Sequence, residues 1–181
     1  MNFSQDLQEL LNYPALQKMD ATTGKPENEE LYDVVSQSVL VIFLSGLYKA
    51  TRTKVNAEEI QKEQNVKDLL NKIFDDKAAV LTAVAEFTKR DEKFINTQLE
   101  GVANGYLKMI NQSDYATELK KENSFEELLS SERIKILPCL PPGLQTGKLF
   151  NDETMDDNTN KMEGPISSLM NKIEGVFSKG D

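Results

Sequence analysis

Histidine is absent from this 181-residue chain, and there is a single cysteine, Cys139. Without an imidazole there is no triad with histidine as its base, no haem on a histidine ligand, and no zinc centre of the usual catalytic kind. One cysteine excludes an internal disulfide and thiolate clusters for zinc or iron–sulfur, and fits a reducing compartment. Glycine (9) and proline (6) are scarce, which argues against a loop-rich sandwich or a collagen-like chain. Long apolar runs are missing too. Residues 39–44, extending loosely to Tyr48, form the longest, far short of the roughly 20 residues of a membrane span. The opening Met1-Asn2-Phe3-Ser4-Gln5-Asp6 has no basic stretch leading into an apolar one, so no signal peptide is expected.

Basic charge is also in deficit. Thirty acidic side chains face 21 basic ones, for a net charge of −9. A field of that sign repels nucleic-acid backbones and anionic lipid, and steers a basic protein toward the surface. What remains is 39% hydrophobic and 28% charged, a globular mixture large enough for one domain with a core.

Helical signals fill the first three-quarters. Ser4 suits an N-cap for a short helix carrying Leu7, Leu10 and Leu11, which Pro14 should end. Residues 19–25, with Thr22, Thr23 and Gly24, read as a loop. Pro26 followed by Glu27, Glu29 and Glu30 suits a helix start, and periodicity carries that helix to about Thr51. Its segment 39–44 is apolar on all sides and should be central and covered by neighbours. Asn56 with Glu59 reads as a capping pair. Leu69, Leu70, Ile73 and Phe74 share one side of the next helix. Asp75 or Asp76 caps a helix with Val80, Leu81, Val84 and Phe87. Asp91 caps the cleanest amphipathic segment, with Ile95, Leu99, Val102, Ala103, Tyr106 and Ile110 at helical spacing and Gly101 and Gly105 four apart. Ser124 and Glu127 form a capping box before Phe125, Leu128 and Leu129.

The character then changes. Residues 133–137 read as a short extended piece, and Pro138, Pro141, Pro142 and Gly143 interrupt regular helix. Residues 151–163 are polar and acidic. Pro165 opens a last helix whose Ile166, Leu169, Met170, Ile173 and Phe177 form one apolar stripe. The expected fold is therefore all-α. A helical bundle spans 1–137, a Pro-rich then acidic loop 138–164, and an amphipathic helix 165–181 packs on the bundle or on a partner.

Three chemical motifs come close and fail. Gly143-Leu144-Gln145-Thr146-Gly147-Lys148 is one residue short of a phosphate-binding loop, puts Leu149 where a hydroxyl should hold magnesium, and precedes nothing that reads as helix. Asp156, Asn158 and Asn160 alternate like the start of a calcium loop, with Lys161 in place of the turn glycine and Ser167 in place of the closing glutamate. The pairs Glu58-Glu59 and Glu126-Glu127 point apart on a helix and act as N-terminal charges. Cys139, with Arg133 and Lys135 as its nearest cations in sequence, reads as a small buried side chain. No cofactor is expected.

Two stretches resemble a known family. Residues 36–48, from Ser36-Gln37-Ser38 through the apolar run to Ser45-Gly46-Leu47-Tyr48, resemble the first apolar helix of the YidB-like bacterial proteins. Residues 70–110 are similar to its later part, with a Phe74-Asp75-Asp76 corner, an alanine-rich helix, a polar break at 89–93 and a long helix bearing Leu99, Ala103, Leu107 and Ile110. The family's function is unknown, so the resemblance implies a helical fold and a bacterial origin and assigns no site. The functional expectation is a non-catalytic, cytoplasmic protein–protein interaction module, with self-association open, that contacts its partner through Ile166, Leu169, Met170, Ile173 and Phe177. The alternatives are an acidic inhibitor or immunity-type protein that neutralises a basic partner, and an enzyme with a carboxylate/lysine site.

Overall fold

The computed structural model describes residues 2–20, 22–52, 54–112, 115, 117, 119 and 124–151. Among them are eight α-helices: α1 Phe3–Leu11, α2 Val34–Ala50, α3 Lys54–Gln61, α4 Val66–Ile73, α5 Lys77–Thr88, α6 Glu92–Ile110, α7 Ser124–Ile136 and α8 Thr146–Phe150. Two 3₁₀ turns, Leu137–Cys139 and Pro142–Leu144, join α7 to α8. The all-α bundle expected from composition and periodicity is the observed fold.

Helix α2 is the axis. Residues from Gln37 through Leu47 are buried on every side of it, and α4, α5, α6, α7 and the first 3₁₀ turn all pack around it. A helix apolar all round is stable in water only if wrapped in this way. Each fully buried Leu, Ile or Phe contributes about 1.5–3 kcal/mol by area removed from water, and the run 39–44 concentrates six buried apolar side chains in consecutive positions. Helix α6 is the second wall and touches α1, α2, α4 and α5. Its stripe Ile95, Leu99, Val102, Ala103, Tyr106 and Ile110 is buried as its spacing predicts.

Local chemistry sets several boundaries. Asp76 accepts the Ala79 N–H at 2.9 Å and Asp91 the Phe94 N–H at 2.8 Å, starting α5 and α6 at the expected caps. Asn65 caps α4 in the same way. Gly46 has a packing reason: a Cβ there would lie 2.6 Å from the Phe74 ring. That ring also stacks on Phe150 at 6.0 Å. Phe74 thus joins α2, the end of α4 and α8, and the Lys49–Asp75 ion pair at 2.6 Å closes the same corner.

Other boundaries differ from expectation. α1 starts after Asn2, and Ser4 is buried inside the first turn. Phe3 and Leu7 face the core, whereas Leu10 is 43% exposed. α2 starts at Val34, not Pro26. Asp33 accepts the Ser36 N–H at 2.6 Å and competes successfully as the cap. Pro26 instead pairs with Met19 across a tight loop. Between Pro26 and Asp33, Glu27, Glu29 and Glu30 offer no apolar face, and Leu31 is 53% exposed. Asn56 lies within α3, which begins at Lys54. Residues 133–136 are the last turn of α7, not extended, because Ile136 continues the buried face set by Phe125 and Leu129. The capping box falls on Ser124, whose side chain lies outside the described residues. The apolar cluster continues past Leu137 through Cys139, Leu140, Leu144 and Phe150.

Candidate interaction groove

Two buried polar side chains organise one end of the bundle. Gln37, in the first turn of α2, is 3% exposed. Its Oε1 accepts the Gln17 N–H, and its Nε2 donates to the carbonyls of Gln17 and Cys139, each at 2.8 Å. The Met19 N–H adds a bond to the Pro138 carbonyl at 2.8 Å. The irregular segment 13–19 is thereby stitched to the first 3₁₀ turn, and several of its backbone groups find partners there.

Glu132 on α7 is fully buried. Its Oε2 accepts the Ser4 N–H at 3.0 Å, and its Oε1 accepts from Lys135 Nζ at 2.5 Å. Asn2, at the N-cap of α1, makes no side-chain cap bond. Glu132 therefore caps α1 from another helix, with its negative charge at the positive end of the dipole. Burial raises the Glu132 pKa, but the hydrogen bonds from Lys135 and Ser4 outweigh it, and the carboxyl lies below its usual range. Next to it Tyr115 donates to Asp6. Burial first, and the Asp6 carboxylate second, push that phenol up. Phe3 lies edge-on to Tyr115 and Tyr106, with centroids 6.0 and 6.1 Å away.

Between these anchors runs an open groove of about 660 Å³, walled by α1, segment 13–18, the end of α7 and the first 3₁₀ turn. That volume is in the range of ligand and peptide sites. One wall is an amide ladder along α1: Asn2 donates to Gln5 at 2.7 Å and Gln5 to Glu9 at 2.9 Å. Leu16, Ile134 and Pro138 also line it, Lys18 and Glu9 bring charges of opposite sign, and Lys135 is held by Glu132. Ile134 is 73% exposed. Cys139 sits at the groove but is 4% exposed, and its thiol donates to the Lys135 carbonyl at 3.4 Å. Burial pushes the Cys139 thiol up to about 11, so at neutral pH it is a protonated, unreactive group. Cys139 is thus the small buried side chain expected from its sequence.

The surface offers amphipathic contact: apolar side chains beside amides and the charged groups of Lys18 and Glu9. Among the described residues, no three His, Cys, Asp or Glu side chains are placed to hold a metal ion. No helix among them is long and apolar enough to cross a membrane. The phosphate-loop look-alike is packing: Gly143 lies in a 3₁₀ turn where a Cβ would be 2.7 Å from Phe87. A short helix, α8, begins within it at Thr146, where the sequence offered no helical signal.

The stripe Ile166, Leu169, Met170, Ile173 and Phe177 lies outside the described residues, as does the calcium-loop look-alike at 156–167. The sequence reading missed the groove. Its parts come from positions up to 137 residues apart, and Ile134 was hidden in a stretch read as extended. A helical reading of 124–136 would have left Ile134 off the buried face and marked it as an apolar residue without cover. No known protein family, no curated protein and no solved structure matches this chain.

Proposed function

We propose that this protein is a non-catalytic protein–protein interaction module whose partner-binding element is the stripe Ile166, Leu169, Met170, Ile173 and Phe177. The supporting observation is how the bundle closes. α2 is surrounded by α4, α5, α6, α7 and the first 3₁₀ turn, and the apolar cluster runs to Phe150. The central helix thus has its neighbours from elements that precede the stripe. An apolar stripe of this kind suits docking in a partner's groove. A cytoplasmic setting and the helical, bacterial character implied by the YidB-like resemblance belong to the same reading.

The net charge of −9 favours one other reading, an acidic inhibitor of a basic protein. One experiment separates them. The full chain and a Leu169→Asp/Phe177→Asp variant are immobilised and exposed to lysate at low and high salt, and bound proteins are identified by mass spectrometry. The stripe reading expects a dominant protein that survives high salt and is lost with the variant. A protein held equally by both chains and released by salt supports the inhibitor reading instead. Identical, featureless retention by both chains defeats both.

A further inference from the structure

Three features need no external ligand: the Cys139 thiol is buried, the Gly143–Lys148 stretch is packed, and Glu132 is engaged as a cap. The groove between α1 and α7 is different. Ile134 lines it and is 73% exposed, the most exposed large apolar side chain among the described residues. Leu16 and Pro138 stand in the same groove.

The charges of the groove are the second observation. Lys135 is neutralised by the buried carboxylate of Glu132 at 2.5 Å. That leaves Lys18 and Glu9, of opposite sign. Neither forms an ion pair with the other or with another described residue. The Glu9 carboxylate accepts a hydrogen bond from the neutral Gln5 amide at 2.9 Å. The groove is therefore neutral in sum on a chain of net charge −9, and it holds one cation and one anion that do not meet within the chain. A strongly basic or strongly acidic partner gains nothing from such a face. A face bearing both members of an ion pair is complementary to itself when turned about a two-fold axis.

From the exposed Ile134 and the uncombined charges of Glu9 and Lys18, we infer that this groove is an isologous interface whose occupant is a second copy of the chain. Each copy's Ile134 enters the other's groove beside Leu16 and Pro138, and each Glu9 meets the other's Lys18. Shape agrees. Two grooves alone would face each other across a void, but a projecting side chain on the same face fills it, because the two-fold sets each projection against the other groove. The groove, of about 660 Å³, is ample for one isoleucine side chain. Exposed ion pairs of this kind fix register more than they add affinity, so the dimer is weak and reversible. The stripe at 165–181 plays no part in the inference, which stands apart from the reading above.

The test is charge exchange in the full chain, read by sedimentation at concentrations up to roughly 1 mM. Wild type is expected to dimerise. Glu9→Lys and Lys18→Glu each set like charges across the axis twice and should weaken the dimer about tenfold. Mixing the two variants should restore wild-type affinity, because the two reversed sites then face each other and so do the two unchanged ones. Ile134→Asp should abolish the dimer while keeping a urea midpoint close to that of wild type, since the side chain is mostly exposed. If Ile134→Asp unfolds the chain, the charge-exchange mixture decides, because it alters only exposed side chains. A chain that stays monomeric throughout overturns the proposal, including a monomer that captures a different protein through Ile134. A dimer unmoved by either charge reversal, or a mixture that restores nothing, overturns it too. So does a dimer kept by Ile134→Asp and lost by Leu169→Asp/Phe177→Asp, which assigns self-association to the stripe.

Discussion

Helices α2 and α1 share one core and are held in it by different forces. α2 is fixed by area: from Val39 to Leu44 every side chain is at most 1% exposed. α1 buries Phe3 and Leu7 but presents Leu10 to solvent, and it is fixed as much by the Glu132 cap, the Tyr115–Asp6 bond and the contact with α7. Apolar burial is additive and insensitive to pH. A buried carboxylate works through geometry and protonation. The centre should therefore tolerate shape-conserving changes and resist acid, whereas the α1–α7 seam should respond to single polar substitutions and to pH.

The hardest blow falls on the centre. Phe43 is fully buried against Tyr106 at 5.6 Å, and Phe43→Ala should cost about 3–5 kcal/mol in urea unfolding. Phe43→Leu keeps most of the apolar volume and should cost well under half of that, as expected if area dominates there. Next comes Gln37. Gln37→Ala strands the Gln17 N–H and the Gln17 and Cys139 carbonyls, and should cost about 3 kcal/mol by the usual penalty for buried unsatisfied groups. A cost near that of an exposed glutamine would mean that the 13–19 segment carries no strain when released.

Acid sharpens the contrast. The Glu132 carboxyl lies below its ordinary value of 4.5 in the folded chain, so its contribution is present above that value and is lost as pH falls through the folded pKa. Glu132→Gln should lose about 1–2 kcal/mol near neutral pH, and its stability should then fall less steeply than wild type on acidification below pH 4.5. Parallel acid limbs for the two proteins would remove Glu132 from the account. At the alkaline end Cys139 works in the opposite sense. Its folded pKa is raised from 9.0 to about 11, so its contribution is complete below pH 9.0 and is lost as pH rises through about 11. Alkylation of the native chain at pH 8 should be slow and should accelerate in urea in step with global unfolding.

The smallest effects separate the two glycines of α6. Gly101 has open space around a Cβ, whereas at Gly105 a Cβ would meet Leu11 at 2.8 Å. Gly101→Ala should stabilise by about 0.5–1 kcal/mol through helix propensity. At Gly105→Ala that gain is offset by displacement of α1, and the net change should be zero or negative in thermal melts.

What was legible in the sequence follows the range of the forces. Asp76 and Asp91 cap helices three residues away and were readable as such. The all-round apolar character of 39–44 announced the central helix, and the spacing of Ile95, Leu99, Val102 and Tyr106 announced the buried face of α6. Where two local signals competed, the reading went wrong. Pro26 offered a helix start, yet only Asp33 had a buried face to follow it. Residues 133–137 read as extended, although the buried face of α7 continues to Ile136. The groove and its anchors were not legible at all. Ser4 and Glu132 are 128 residues apart, Gln37 and Cys139 are 102 apart, and no local pattern marks a residue whose partner is that distant.

Apolar area holds α2, and a few polar bonds hold the α1–α7 seam. Native-state amide hydrogen exchange at increasing sub-denaturing urea tests this most directly. Amides of α2 and α6 should exchange only through global unfolding, with a steep urea dependence. Those of α1 and segment 13–19 should exchange earlier, through a smaller opening that Glu132→Gln makes easier. Exchange of α1 and α2 at one common free energy, unmoved by Glu132→Gln, would contradict it.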